Sequence, residues 1–89
     1  MATKYKLIYT HQAHKDHKKI SSSGLGEKVE ELIALISENP FQHYPPFEKL
    51  HGDQAGAYSR RINIEHRLEY EVHQEEQTIK IIRMWTHYA

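Results

Sequence analysis

Residues 57–72 read AYSRRINIEHRLEYEV, and this stretch decides how the rest of the chain is arranged. Apolar and polar side chains alternate on both sides of a short polar segment at residues 63–66. That alternation is typical of two antiparallel strands, and the polar segment is typical of the turn between them. The stretch therefore predicts a β-hairpin with one apolar face and one polar face.

Two arginines are expected on the polar face of this hairpin, close to its turn. The predicted core residues of the apolar face are Tyr58, Ile62, Leu68, Tyr70 and Val72. This alternation places Arg61 and Arg67 together on the solvent side. Two neighbouring guanidinium groups repel each other, so an anion is their natural partner. The alternative is a pair of surface arginines balanced by Glu65 and Glu69, since surface ion pairs are common and weak.

Length and composition narrow the class of protein. The chain has 89 residues and no cysteine, so we expect one domain, residues 1–89, without disulfides or thiolate metal sites. The formal net charge is zero at pH 7 with histidine neutral, which argues against nucleic-acid binding by bulk electrostatics. The N-terminal apolar run is too short for a signal peptide or a membrane span. We therefore expect a cytoplasmic protein with no membrane partner.

The remaining segments predict a small α+β fold. The predicted elements are a strand at 4–9, helices at 12–20 and 25–38, the hairpin, and a last strand at 77–85. Asn39-Pro40 is expected to end the second helix, and a serine among residues 21–23 is a candidate for its cap. The order β-α-α-β-β-β predicts a small antiparallel-dominated sheet with both helices packed on one face. The arginines then lie on the open face, overhung by a long connection at 41–56.

Three histidines in the first predicted helix are the other candidate site. His11, His14 and His17 are spaced i, i+3 and i+6, which spreads their rings around a helix, and Asp16 is the nearby carboxylate. This arrangement favours a polar helix surface over a metal site. His17 also falls on the apolar stripe with Ala13 and Ile20, so we expect it to be partly buried.

The central motif resembles that of a known toxin family. The run Ser59-Arg-Arg-Ile-x-x-x-His-Arg-Leu-x-Tyr-x-Val72 is similar to the core motif of the YoeB/Txe toxins of bacterial toxin–antitoxin modules, which belong to the RelE/ParE superfamily. Three further features match in order and spacing: Asn39-Pro-Phe41, Glu48 with Leu50, and the terminal His87-Tyr88. The resemblance covers nearly the whole chain and implies a RelE-like fold.

The resemblance also implies an activity and its residues. Members are ribosome-dependent endoribonucleases that cut mRNA in the ribosomal A site, and a Phd/YefM-type antitoxin holds them inactive. Carried over to this sequence, Glu48 is the general base, Arg67 stabilises the phosphate, and His87 is the general acid. The implied RNA-binding residues are Arg61, Tyr88 and, where the family usually has lysine, His51. No metal or cofactor is implied, and homodimer formation stays open.

The chemistry of RNA cleavage agrees with this set. Cleavage without a metal needs a base for the ribose 2′-OH, an acid for the leaving 5′-oxygen, and positive charge on the phosphate. Glu48, His87 and the arginine pair supply one of each. The expected products are a 2′,3′-cyclic phosphate and a 5′-OH end.

Departures from the family pattern leave base preference and ribosome docking open. Ala57 replaces a usual aromatic residue, and Trp85-Thr86 replaces a usual Arg-Tyr pair. Trp85 follows an apolar run, so we expect it to pack in the core. One alternative to an enzyme is a non-enzymatic binding module of the same fold, either a ParE-like toxin that acts on a protein target or a toxin that has lost activity. The other is a small regulatory domain that binds an anion.

Overall fold

A computed structural model describes residues 4–43, 46–49 and 56–85. The elements in chain order are β1 (Lys6–Tyr9), α1 (His11–Ser22), α2 (Gly26–Glu38), β2 (Phe47–Lys49), β3 (Ala57–Arg61), β4 (Arg67–His73) and β5 (Thr78–Arg83). The strands form one sheet in the order β1-β5-β4-β3-β2. β1 and β5 are parallel, and the other neighbours are antiparallel. The predicted α+β class is confirmed. Within the described ranges, no helix is long and apolar enough to cross a membrane.

The hydrophobic core lies between the two helices and one face of the sheet. Ile62, Leu68 and Tyr70 of the hairpin region are fully buried there, as the alternation predicts. The helices, the last strand and the residue after it contribute Ala13, Ile20, Val29, Leu32, Ile33, Ile36, Ile79, Ile81 and Met84. Each fully buried aliphatic side chain of this kind contributes about 1.5–3 kcal/mol. The hairpin is therefore fixed in register, because a slip by one residue would expose its apolar face.

The two ends of α2 give one confirmed and one wrong prediction, and α1 has a cap at each end. The Thr10 hydroxyl accepts a hydrogen bond from the Ala13 N–H at 3.0 Å and caps α1. α2 begins after Leu25 without a side-chain cap, so the predicted serine cap is wrong. Ser23 instead donates to the Ile20 carbonyl at 2.8 Å and closes the C-terminal end of α1. Asn39 is the C-cap of α2, as predicted.

The connection between α2 and the hairpin contains a strand that the sequence did not predict. β2 pairs antiparallel with β3, with Glu48 opposite Ser59. Three residues are too few to give a periodic signal, and β2 forms because the edge of β3 offers unpaired backbone groups. Glu48 therefore lies on an edge strand with a defined register and not in a loop.

The polar face of the sheet is open only in part. Arg61 pairs directly with Arg67 across β3 and β4, which confirms that the two arginines share a face. Arg61 is exposed, but Ala57 and Ser59 on the same face are only 1% and 2% exposed. The Glu69 side chain is 12% exposed and forms an ion pair with an arginine of β5. The prediction of a wholly open face is therefore wrong.

Candidate functional site

Three adjacent strands build a small cavity on this face. The cavity has a volume of 240 Å³ and is lined by Pro46, Glu48, Ser59, Arg61 and Arg67. β2 supplies the glutamate, β3 supplies the serine and one arginine, and β4 supplies the other arginine. The register of the sheet brings these side chains together because each points to the same face of its strand.

Arg67 is the centre of the contacts in this cavity. Its Nη1 atom lies 3.6 Å from Oε1 of Glu48 and makes a long hydrogen bond of 3.4 Å to Oγ of Ser59. The Arg67 side chain is 22% exposed, whereas the Glu48 side chain is 69% exposed. Because one partner is so exposed, this ion pair contributes at most about 1 kcal/mol to stability. The arrangement holds the guanidinium in place and leaves the carboxylate accessible.

The two arginines leave positive charge at the mouth of the cavity. Like charges directly opposite each other on neighbouring strands are unfavourable. Glu48 balances Arg67, while Arg61 forms no ion pair within the ranges that the structure describes. An anion that contacts both guanidinium groups would relieve this repulsion, and a phosphate offers the oxygens for it.

The structure thus brings together three of the six site residues predicted from the sequence. Glu48, Arg61 and Arg67 line one cavity. The other three, His51, His87 and Tyr88, lie outside the described residues, so their roles stay predictions.

Another arginine, Arg60 of β3, is buried, and the sequence interpretation missed this. Arg60 is 0% exposed, and its Nε atom donates to Oη of Tyr70 at 2.9 Å. Its Nη2 atom donates to the carbonyl oxygens of Pro40 at 3.0 Å and Gln42 at 2.7 Å. The sequence did contain a signal for the burial of Arg60, because this residue lies between Tyr58 and Ile62 on the apolar side of the alternation. Burial raises the pKa of the Tyr70 phenol, and the neighbouring guanidinium partly offsets that rise.

A buried carboxylate on α1 was also missed. Asp16 is 1% exposed, and its Oδ2 atom accepts from the backbone N–H groups of Met84 at 3.1 Å and Trp85 at 3.3 Å. The buried stripe of α1 is Ala13, Asp16 and Ile20, a spacing that fits a helix as well as the predicted one through His17. Asp16 therefore ties α1 to the residues that follow β5.

The histidines of α1 have contacts that differ from residue to residue. His17 is half-buried, as predicted, and its Nε2 atom lies 2.9 Å from Oε1 of Glu30 on α2. The His14 ring lies 5.4 Å from the ring of Tyr9. Among residues 4–43, 46–49 and 56–85, no group of three or more His, Cys, Asp or Glu side chains is arranged to hold a metal ion.

Trp85 packs against the end of the hairpin. Its ring stacks on that of His66 with 3.8 Å between centroids, and it lies against the hydrophobic core as a half-buried residue. The expectation that it packs in the core is confirmed in this partial form. Nδ1 of His66 is buried and has no hydrogen-bond partner in the described part of the chain.

Comparison with known proteins shows the family of this chain. The family model of the YoeB-like toxin of bacterial type II toxin–antitoxin systems matches residues 9–88. The chain belongs to this family. Among the relatives of this YoeB-like toxin, Toxin YoeB of Streptomyces coelicolor is 39% identical over 62 residues, which are 70% of this chain and 67% of that protein.

Solved structures of related toxins have the same fold as this YoeB-like toxin. The YoeB/ParE toxin of Agrobacterium tumefaciens is 34% identical with a TM-score of 0.83, and the match covers 93% of this chain and 99% of that one. YoeB of Staphylococcus aureus, solved in complex with YefM and as a dimer, is 34% identical with a TM-score of 0.80 over 97% of this chain and 100% of that one. The predicted RelE-like architecture is therefore confirmed.

Proposed function

We propose that this YoeB-like toxin is a ribosome-dependent endoribonuclease that cleaves mRNA in the A site by metal-independent acid–base catalysis. The observation that carries the proposal is the cavity in which the Glu48 carboxylate lies 3.6 Å from the Arg67 guanidinium, with Arg61 on the same wall. A solvent-accessible base beside two cations fits the attack of a ribose hydroxyl on its own phosphate.

The reaction assigns one role to each of these side chains. Glu48 takes the proton of the 2′-OH while the 2′-oxygen forms a bond to phosphorus. Arg67 and Arg61 stabilise the additional negative charge on the phosphate oxygens. The bond from phosphorus to the 5′-oxygen then breaks, and His87 donates a proton to that oxygen. The products are a 2′,3′-cyclic phosphate and a 5′-OH end.

Substrate positioning is expected to come mainly from the ribosome. The cavity of 240 Å³ is small beside an RNA strand, so the toxin alone offers few contacts. In this proposal Tyr88 stacks on an unpaired base, as aromatic side chains commonly do, and His51 adds a contact to the RNA. The ribosome holds the mRNA in the reactive geometry. Cleavage of free RNA should therefore be weak or absent.

The proposal extends to partners and place of action. YoeB of Staphylococcus aureus is found in complex with YefM, and a Phd/YefM-type antitoxin is the corresponding partner of this chain. Such an antitoxin would neutralise the toxin by laying acidic or apolar residues over Arg61 and Arg67. The Staphylococcus aureus toxin also forms a dimer, so a homodimer is the corresponding self-association. Because its target is the translating ribosome, the toxin acts in the cytoplasm.

The test is cleavage of a short mRNA on translating ribosomes, with analysis of the product ends. Glu48→Ala and His87→Ala should each lower the cleavage rate by ~10²–10⁴-fold, because each removes one partner of the proton transfer. Glu65→Ala is the matched control, since Glu65 is an exposed carboxylate in the hairpin turn. Absence of cleavage by folded wild-type protein would contradict the proposal and favour a ParE-like toxin that acts on a protein target.

A further inference from the structure

Arg60 makes contacts to three separate segments of the chain. It reaches β4 through Tyr70 and the residues after α2 through the carbonyls of Pro40 and Gln42. Its guanidinium also lies over the ring of Phe47 in β2, with 4.8 Å to the ring centroid. The Tyr70 hydroxyl donates in turn to the Pro40 carbonyl at 2.9 Å, so these groups form one connected buried network.

β2 depends on such contacts because it has few of its own. It is a three-residue edge strand in which Glu48 and Lys49 are exposed and Phe47 is half-buried. The Phe47 ring meets the ring of Tyr58 edge-on at 5.6 Å and lies under the Arg60 guanidinium. A strand this short is not stable by itself. Its position is therefore set by the pairing with β3 together with the contacts of Phe47 on the inner side.

The side chain of Arg60 does not line the cavity. Ser59 and Arg61, its neighbours in sequence, both do, and alternation along β3 sends Arg60 to the opposite face. Arg60 pairs with Phe47 in the register between β3 and β2, and Glu48 is the next residue along β2. Any effect of Arg60 on the cavity must therefore pass through Phe47 and the backbone of β2.

We propose that Arg60 is a positioning residue that fixes β2, and with it the Glu48 carboxylate, against Arg67. The planar guanidinium reaches a phenol, two carbonyls and a ring at once. A lysine ammonium on the same backbone concentrates its three N–H donors at one atom and lacks this planar fork. The catalytic part of the proposal rests on the role of Glu48 as the base. The anchoring part rests on the contacts of Arg60 alone.

The first measurement is amide hydrogen exchange of the folded protein in a segment that covers residues 46–49. Arg60→Lys should raise the exchange rate there about tenfold, the factor that corresponds to the loss of a single buried hydrogen bond. Tyr70→Phe, which removes one hydroxyl and keeps the ring, should give a smaller rise in the same segment. Arg83→Lys, on β5 and away from β2, is the matched control and should leave this segment unchanged.

The second measurement is single-turnover cleavage on ribosomes in a double-mutant cycle. Arg60→Lys should lower the rate ~10²-fold when Glu48 is present, the usual result of misplacing a catalytic group. In the Glu48→Gln background the same change should lower the rate less than about twofold, because the base is already gone. A merely structural role would give equal losses in both backgrounds.

The outcomes separate this proposal from the proposed function. Unchanged exchange of residues 46–49 in both Arg60→Lys and Tyr70→Phe would overturn the anchoring role. Equal losses of cleavage in the two backgrounds would overturn the positioning of Glu48. Wild-type cleavage by Glu48→Gln would instead overturn the general-base assignment, while the exchange data would still decide whether Arg60 anchors β2. If Arg60→Lys does not fold, both the exchange measurement and the cleavage cycle are made with Tyr70→Phe instead.

Discussion

Replacement of Asp16 by alanine should destabilise the fold strongly, although the residue lies on a helix otherwise rich in exposed polar side chains. Its Oδ2 atom accepts from the N–H groups of Met84 and Trp85 at 3.1 and 3.3 Å, and its Oδ1 atom accepts from Nε2 of Gln12 at 2.8 Å. The side chain is 1% exposed. Alanine leaves the N–H of Met84 buried without its acceptor. The N–H of Trp85 loses its hydrogen bond to the same carboxylate oxygen.

The magnitude follows from these contacts. An N–H group left unsatisfied in a buried site, here that of Met84, costs about 1–3 kcal/mol. Loss of the part-buried hydrogen bond to Trp85 adds about 0.5–1.5 kcal/mol, so the expected total is about 1.5–4.5 kcal/mol. Domains of this size are stable by about 5–15 kcal/mol in total. Asp16→Asn should cost only about 1–2 kcal/mol, because the amide oxygen can still accept from both N–H groups while hydrogen bonds to a neutral acceptor are roughly half as strong.

Urea unfolding followed by circular dichroism measures both free energies of unfolding. Lys15→Ala, at the preceding and exposed position of α1, is the control for helix propensity and should change the free energy of unfolding by less than about 0.5 kcal/mol. A loss below about 1 kcal/mol for Asp16→Ala would refute the reasoning, since it would mean that the N–H groups readily find other partners. Equal losses for Asp16→Asn and Asp16→Ala would refute it as well.

Three further predictions follow from burial and charge. Arg67→Ala should lower ribosome-coupled cleavage by ~10²–10³-fold. It should lower the free energy of unfolding by at most about 1 kcal/mol, because the ion-pair partner of Arg67 is 69% exposed. A large loss of stability in urea would contradict this. Burial raises the pKa of Tyr70 and of Tyr9 above the ordinary value of 10.0, so the folded state retains these protons longer than the unfolded state. The free energy of unfolding should therefore fall as the pH rises above about 10, and Tyr70→Phe should make that fall shallower. Ile62→Ala should lower the free energy of unfolding by about 2–5 kcal/mol because Ile62 is fully buried, whereas Ile64→Ala should leave it nearly unchanged because Ile64 is 90% exposed. Equal urea midpoints for the two variants would refute both predictions.

The hairpin could be predicted from the sequence because its signals are local. Ile62, Leu68 and Tyr70 alternate with polar residues, and their burial needs only that alternation and one covered face. The same alternation places Arg61 opposite Arg67. Both helices were found for a similar reason, since their apolar stripes repeat at helical spacing.

The residues that the sequence did not reveal depend on distant partners. Arg60 is satisfied by carbonyl oxygens 18 and 20 residues away in sequence, and Asp16 by N–H groups 68 and 69 residues away. The local spacing allows both residues to be buried, but no local pattern contains the partner that would satisfy the charge, so each charge is expected on the surface by default. β2 was missed because three residues on the edge of β3 carry too little periodicity to distinguish a strand from a loop.

The two buried charges, Arg60 and Asp16, fix segments of the chain that lie close in sequence to proposed catalytic residues. Catalytic side chains must be exposed to meet RNA, and Glu48 is 69% exposed on a short edge strand. Besides the anchor at Phe47, its position is fixed by the pairing with β3 and by a weak ion pair with Arg67. Arg60 holds Phe47, one residue before Glu48, and Asp16 holds Trp85, two residues before His87. A buried charge with several directed hydrogen bonds fixes a chain more narrowly than apolar contact, which tolerates sliding. The toxin thus has one rigid point beside Glu48 and another close to His87 in sequence, and loss of either rigid point should reduce cleavage before it unfolds the protein.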